Sequence, residues 1–339
     1  MAIVTLWLHL CLRPSGIAFL IALFSGVARL GAAASPPPDQ PTILIVVGAA
    51  GEEEYGKSFA QWAGLWETAG AHAGGKAVTI GLKTNGAATD RELLEQALIA
   101  EPKETAAELW LVLLGHGTFD SKEAKFNLRG PDVSAAELAK WLEPFKRPLA
   151  VINTASASGP FLNSLSGPRR VIVTATKSGS EQNYSRFGQF ISQAIGGTEA
   201  DLDKDGQTSL LEAYLFAARE TAEFYTSEGR LATEHALLDD NGDGLGTPAS
   251  WFRGVRAVKK AGEGAALDGL KAHQVHLIRS AADSQMPPET RARRDDLEVA
   301  ISRLREAKPT LDEAEYYRQL EKLLLEMAAL YEKGTGPDK

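Results

Sequence analysis

Leu109-Trp110-Leu111-Val112-Leu113-Leu114-Gly115-His116-Gly117 is the stretch that decides the fold of this 339-residue chain. Six apolar residues without a polar interruption form a strand buried on both faces, and such strands belong to parallel sheets covered by helices. A second run, Leu149 to Ile152, opens in the same way into Asn153-Thr154-Ala155-Ser156-Ala157-Ser158-Gly159. In a parallel sheet both mouths lie at the carboxyl edge, where ligands bind, so His116 and Ser156 are expected to face each other across one cleft.

To either side of these runs, Thr42–Val47 and Ala77–Ile80 read as strands, with a helix between them from about Glu54 to Thr68 and another over Thr89–Ala100. Lys125–Leu128 fits a short accessory strand. Ser134 and Glu137 make a capping box for a helix reaching about Leu142. Val171–Ala175 is the fifth main strand, Tyr184–Ile195 and Ser209–Phe224 are helical, and Trp251–Val258 closes the region. Strands alternating with helices at this spacing predict an α/β fold: a mostly parallel sheet flanked by helices, over residues 42–258. A Gly and Ala rich stretch, Ala261–Ala266, marks a linker within 259–339, and the rest of that segment is a C-terminal helical hairpin. Leu297, Ile301 and Leu304 recur at helix spacing, and Leu320, Leu323, Leu324, Met327 and Leu330 follow in a second helix, capped by Thr310 with Glu313. The hairpin is expected to pack on the core, with a partner-binding coiled coil as the alternative.

Residues 1–34 hold no acidic group, and the apolar run Ile17–Phe24 leads to Ala32-Ala33-Ala34. This predicts a signal peptide and a secreted or periplasmic protein; an uncleaved anchor fits less well, because the run is short for a bilayer. Cleavage removes Cys11, the one cysteine, so neither disulfides nor thiol chemistry remain. It also takes the formal charge from −8 to −10, which argues against nucleic acid as a partner. With the leader gone, no membrane partner is expected. Gly48-Ala49-Ala50-Gly51 lacks the spacing of a dinucleotide or phosphate loop.

A strand ending in His-Gly, followed one strand later by a strand ending in Ala-Cys-small-Ser-Gly, is the pattern of the legumain-like and caspase-like cysteine peptidases. This chain resembles that family from about Thr42 to Val258. Leu113-Leu114-Gly115-His116-Gly117 matches its histidine motif, and Ala155-Ser156-Ala157-Ser158-Gly159 matches its nucleophile motif with serine in place of cysteine. Val171–Gly188 is similar to the strand and loop bordering the specificity pocket. The resemblance implies a caspase-haemoglobinase fold, with His116 as general acid/base, Ser156 at the nucleophile position and the N–H groups of Gly117 and Ser156 as oxyanion donors. A serine hydroxyl, unlike a thiol, needs a base hydrogen-bonded to it. Three readings compete: a pseudopeptidase whose cleft still binds a peptide or protein; an active hydrolase with Ser156 as nucleophile, His116 as base and Asp120 or Glu123 orienting it; or two tight strand-end turns with no chemistry.

Asp201-Leu-Asp203-Lys-Asp205-Gly206-Gln207-Thr-Ser209-Leu-Leu-Glu212 matches a twelve-residue EF-hand-like calcium loop at every liganding position. Asp201, Asp203 and Asp205 supply carboxylates, Gln207 its carbonyl, Ser209 a water-mediated contact and Glu212 a bidentate carboxylate. Calcium is therefore the expected cofactor. Thr208 and the Gly196-Gly197 pair depart from a regular EF-hand, which points to a lone loop with an exiting helix. Asp239, Asn241 and Asp243 begin a second, weaker candidate, but Ser250 stands where the glutamate belongs. It is either a metal loop or an Asx turn. His72 and His235 read as surface histidines, and His273 with His276 as a solvated helix face.

Overall fold

A computed structural model describes residues 40–83 and 86–334. The expected leader and Cys11 lie outside them. Strand β1 (Thr42–Val47) is followed by helix α1 (Glu53–His72), β2 (Lys76–Ile80), α2 (Asp90–Ala100) and β3 (Leu109–Leu114). A small sheet of β4 (Gly117–Phe119), β5 (Ala124–Phe126) and β6 (Val133–Ser134) then leads to α3 (Ala135–Leu142), β7 (Leu149–Asn153), α4 (Gly159–Leu165) and β8 (Arg170–Thr174). After α5 (Phe187–Ala194) and α6 (Leu210–Ser227) come β9 (Leu237–Asp239), β10 (Thr247–Pro248) and the hairpin of β11 (Phe252–Arg253) with β12 (Arg256–Ala257). The remaining elements are α7 (Leu270–Gln274), α8 (Ala281–Gln285), α9 (Pro288–Ala307) and α10 (Glu313–Gly334).

The main sheet has the order β10-β9-β8-β7-β3-β1-β2. Its five strands from β2 to β8 are parallel, and β9 runs antiparallel to β8. Alternation along each strand divides the core. From β1, Ile43, Ile45 and Val47 join Trp62, Trp66, Phe187 and Tyr214 on the face covered by α1, α5 and α6. Leu44 and Val46 join Leu94, Leu98, Leu138 and Phe161 on the face covered by α2, α3 and α4. A sheet that is apolar on both faces needs both layers, so the uninterrupted apolar runs become intelligible as central strands.

The C-terminal helices form the expected pair, with Leu297, Ile301 and Leu304 of α9 buried. Two local expectations are corrected. Thr310 does not cap α10: it sits in a 3-10 turn after Ala307, its hydroxyl donates to the Ala307 carbonyl, and Asp312 accepts the N–H groups of Ala314 and Glu315 instead. Helix α5 begins at Phe187 rather than Tyr184, because the buried Glu234 carboxylate accepts the N–H groups of Arg186 and Phe187 and the Ser185 hydroxyl. That carboxylate sits where a helix start attracts negative charge, and nothing nearby in sequence announces it.

Candidate functional site

Strands β3 and β7 are neighbours with Leu113 opposite Asn153, so the two motif-bearing strand ends do emerge side by side. The chain leaves β1 toward β2 on one side and enters β3 on the other, and this change of direction opens the crevice at which α/β proteins place their ligands. Gly48 and Gly115 line it at close quarters: a Cβ on Gly115 would lie 3.1 Å from the Gly48 Cα.

His116 is half-buried here among aromatic rings, with centroids of Tyr55, Phe59 and Tyr184 at 5.1, 5.2 and 5.9 Å. Its Nε2 lies 3.2 Å from the Ala50 carbonyl, which can only accept, so Nε2 carries the proton and Nδ1 the lone pair. Burial pulls its pKa below the ordinary value, against smaller opposing contributions from that hydrogen bond and from Glu52. Burial thus favours the neutral ring.

Ser156 is 3% exposed and its hydroxyl is closed upon one residue. Oγ donates to the Gly117 carbonyl at 3.0 Å and accepts the Gly117 N–H at 3.1 Å. Gly117 must be glycine, since a Cβ there would lie 2.2 Å from the Ser156 carbonyl oxygen. The turn is held further by Asn153 Oδ1, which accepts the Ala155 N–H, and by Ala157, whose φ of +53° sends its N–H to the Glu181 carbonyl. The cleft thus brings His116, Gly117 and Ser156 together, yet among the described residues no hydrogen bond joins His116 to Ser156. Asp120 and Glu123 do not orient the histidine: Asp120 caps its own hairpin by accepting the N–H groups of Lys122 and Glu123, and Glu123 pairs with Lys125. As folded, the pair lacks the nucleophile-to-base contact and the orienting acid that serine chemistry requires.

The acidic loop gathers its side chains into two groups that share Asp203. Carboxylate oxygens of Asp201, Asp203 and Asp205 lie within 4.8 Å of one another, and one oxygen each of Asp203 and Glu212 makes a similar group with a His273 ring nitrogen. Asp201 accepts the N–H groups of Lys204 and Gly206, Asp203 that of Asp205, and Asp205 that of Gln207. Gly206 makes the turn at φ +87°. Glu212, 1% exposed, accepts the N–H groups of Leu202 and Asp203 on one oxygen and those of Ser209, backbone and hydroxyl, on the other. Ser209 is consequently the N-cap of α6, in a full capping box with Glu212. The Gln207 side chain is buried, its amide donating to Asp205 and its oxygen accepting the Ser280 N–H. This oxygen-rich set suits a hard divalent ion.

The loop carrying Asp239, Asn241 and Asp243 has the same ladder. Asp239 accepts the N–H groups of Gly242 and Gly244, Asn241 that of Asp243, and Asp243 that of Leu245. It joins β9 to β10, and Ser250 at its twelfth place lies in a short 3-10 turn.

His273 and His276 are not a solvated face. Their segment is strapped across both loops: His273 Nε2 is 3.0 Å from an Asp203 oxygen, Leu210 donates to the Val275 carbonyl, and Ser209 is paired with His276. His276 is buried, which pulls its pKa down to about 4. On the other side Asp240 accepts the N–H groups of Gly269 and Ala272, while Asp268 accepts those of Asp240 and Asn241 and the Thr247 hydroxyl. Asp268 and His273 are parts of the site that sequence spacing could not reveal, because each acts on loop residues far away in the chain. His235 is partly exposed, as expected, and its Nδ1 lies 2.5 Å from Glu181.

Neither a protein-family model nor a curated protein matches the sequence. Among solved structures the chain is similar to protein GSU0716 from Geobacter sulfurreducens, at 11% identity and a TM-score of 0.38, over 59% of this chain and 92% of that one. It is also similar to the Drosophila initiator caspase Dronc, at 13% identity and a TM-score of 0.37, over 59% of this chain and 79% of the other. Caspase-1 from Spodoptera frugiperda gives 8% identity and a TM-score of 0.37, over 60% and 86%. Among the described residues, no helix is long and apolar enough to cross a membrane.

Proposed function

We propose that this chain is an exported, calcium-binding relative of the legumain-like and caspase-like peptidases that has lost turnover and works by holding a peptide or protein ligand in the His116/Ser156 cleft. One observation carries this reading: the Ser156 hydroxyl is spent on both backbone groups of Gly117 and shares no hydrogen bond with His116. A serine so engaged has no base in contact to take its proton, because the His116 ring bonds to Ala50 and makes no hydrogen bond to the Ser156 hydroxyl. Calcium binding is supported by two groups that share Asp203: the carboxylates of Asp201, Asp203 and Asp205, and those of Asp203 and Glu212 with the His273 ring. Exposed Tyr317, Leu324 and Leu325 on α10 support a role for the C-terminal pair in contacting a protein partner.

The deciding experiment is labelling of the full chain with a fluorophosphonate probe. No labelling above that of the denatured protein is expected. Labelling that disappears in both Ser156→Ala and His116→Ala would replace this reading with the serine-dependent hydrolase. A companion variant, Ser156→Cys, tests whether the cleft retains its ancestral arrangement: its thiol should react with iodoacetamide faster than an exposed free cysteine.

A further inference from the structure

Away from the cleft, a cavity of about 300 Å³ lies between the β11/β12 hairpin, the short helix α7 and the long helix α9. Val255, Leu267, Leu270 and Ile301 give it an apolar lining, and Arg256 and Arg305 come to it from opposite elements. Both arginines are exposed, and neither makes an ion pair or a side-chain hydrogen bond among the described residues. The chain carries 44 acidic residues against 36 basic ones, and other arginines near the tail are paired: Arg279 with Glu108, Arg293 with Glu326, Arg294 with Asp283.

The two acidic groups that line the cavity, Asp268 and Glu298, are already engaged. Asp268 accepts two backbone N–H groups and the Thr247 hydroxyl, and Glu298 accepts the Gln274 amide. Neither forms an ion pair with the two guanidinium groups among the described residues, which leaves both available as donors with the planar fork that suits a carboxylate. An apolar lining with a few converging polar groups is the usual make-up of a small-ligand site, and a volume of this size accommodates a body of about eight carbon atoms.

We infer that this cavity is a binding site for a carboxylate carried on an apolar body, the body lying on Val255, Leu267, Leu270 and Ile301 and the carboxylate held by Arg256 and Arg305. Two sources present that chemistry, a free medium-chain acid and the carboxyl terminus of a polypeptide ending in an apolar residue. The site is separate from the His116/Ser156 cleft and does not depend on its reading.

Titration calorimetry on the full chain tests it, with octanoate and N-acetyl-leucine as the acids and octanol and N-acetyl-leucinamide as their neutral counterparts. At least one acid is expected to bind, its counterpart at least tenfold more weakly. Octanoate alone identifies the free acid as the source, and N-acetyl-leucine alone the chain terminus. In Arg256→Gln with Arg305→Gln the affinity should fall at least tenfold, and because neither side chain has a partner among the described residues, the melting temperature should stay put. Ser302→Trp, which fills the cavity from α9, should abolish binding. Failure of both acids to bind, or binding that survives in the double variant and in Ser302→Trp, overturns the inference.

Discussion

The loops beginning at Asp201 and Asp239 have nearly the same backbone, and the contrast between them shows what a short motif can and cannot specify. In each, the first aspartate accepts the N–H groups of the fourth and sixth residues, the third side chain that of the fifth, and the fifth that of the seventh. Positive φ recurs at the fourth and sixth places, at Lys204 and Gly206 in one and Gly242 and Gly244 in the other. Local hydrogen bonding from Asp and Asn side chains is sufficient to generate that shape. Beyond the turn the two diverge. The first loop runs into α6, which returns Glu212 to the centre; the second runs into β10, and its twelfth residue is Ser250 in a 3-10 turn. One loop is closed by a carboxylate of its own, the other by Asp268 from the strap.

The largest effect should come from Glu212→Ala. It strips acceptors from Leu202, Asp203 and Ser209 and breaks the α6 cap, so about 3 kcal/mol of stability is expected to be lost in chelator alone. In wild type, calcium at a hundred times its Kd should add about 2.7 kcal/mol, and this increment should vanish in the variant. Denaturant unfolding with and without chelator reads both, and a wild type indifferent to calcium breaks the comparison outright.

Asp268→Ala comes next, at about 2 kcal/mol, since it leaves the Asp240 and Asn241 N–H groups and the Thr247 hydroxyl without their acceptor. Here the calcium increment should persist, because the first loop keeps its whole donor set. Loss of the increment would mean that the loops act as one unit.

His273→Ala should do less. Its imidazole occupies an Asp203 oxygen, so removing it is expected to raise calcium affinity up to about fivefold, within the ~1 kcal/mol typical of a partly exposed ion pair. Calorimetry giving weaker binding would instead make His273 a supporting group of the site. The smallest change is Ser250→Glu, which should alter stability in chelator by less than about 0.5 kcal/mol. If a glutamate is all that the second loop lacks, titration will show a second calcium equivalent at a Kd on the order of 10⁻⁴–10⁻³ M. A single equivalent would show that the 3-10 turn holds the twelfth side chain away.

Features that depend on neighbours along the chain are legible without any structure. Uninterrupted apolar runs at 43–47, 109–114 and 149–152 are strands because nothing else buries them on both faces, and Ser134 with Glu137 is a cap because the reciprocal bonds span three residues. The spacing of Asp201, Asp203, Asp205 and Gly206 likewise carries its own turn. Folding in three dimensions settled where polar groups that could bond in several ways actually went. His116 faced either Ser156 or the Ala50 carbonyl, and packing against Tyr55 and Phe59 accompanies the second. Ser156 could meet a base or the Gly117 backbone, and the close approach of β3 to β7 supplied the backbone. Asp268, Glu234 and His273 found partners 21 to 70 residues away, a distance over which no sequence period operates. Hydrophobic pattern fixes which surface is buried; which donor meets which acceptor there is set only when separate strands and loops arrive at the same edge.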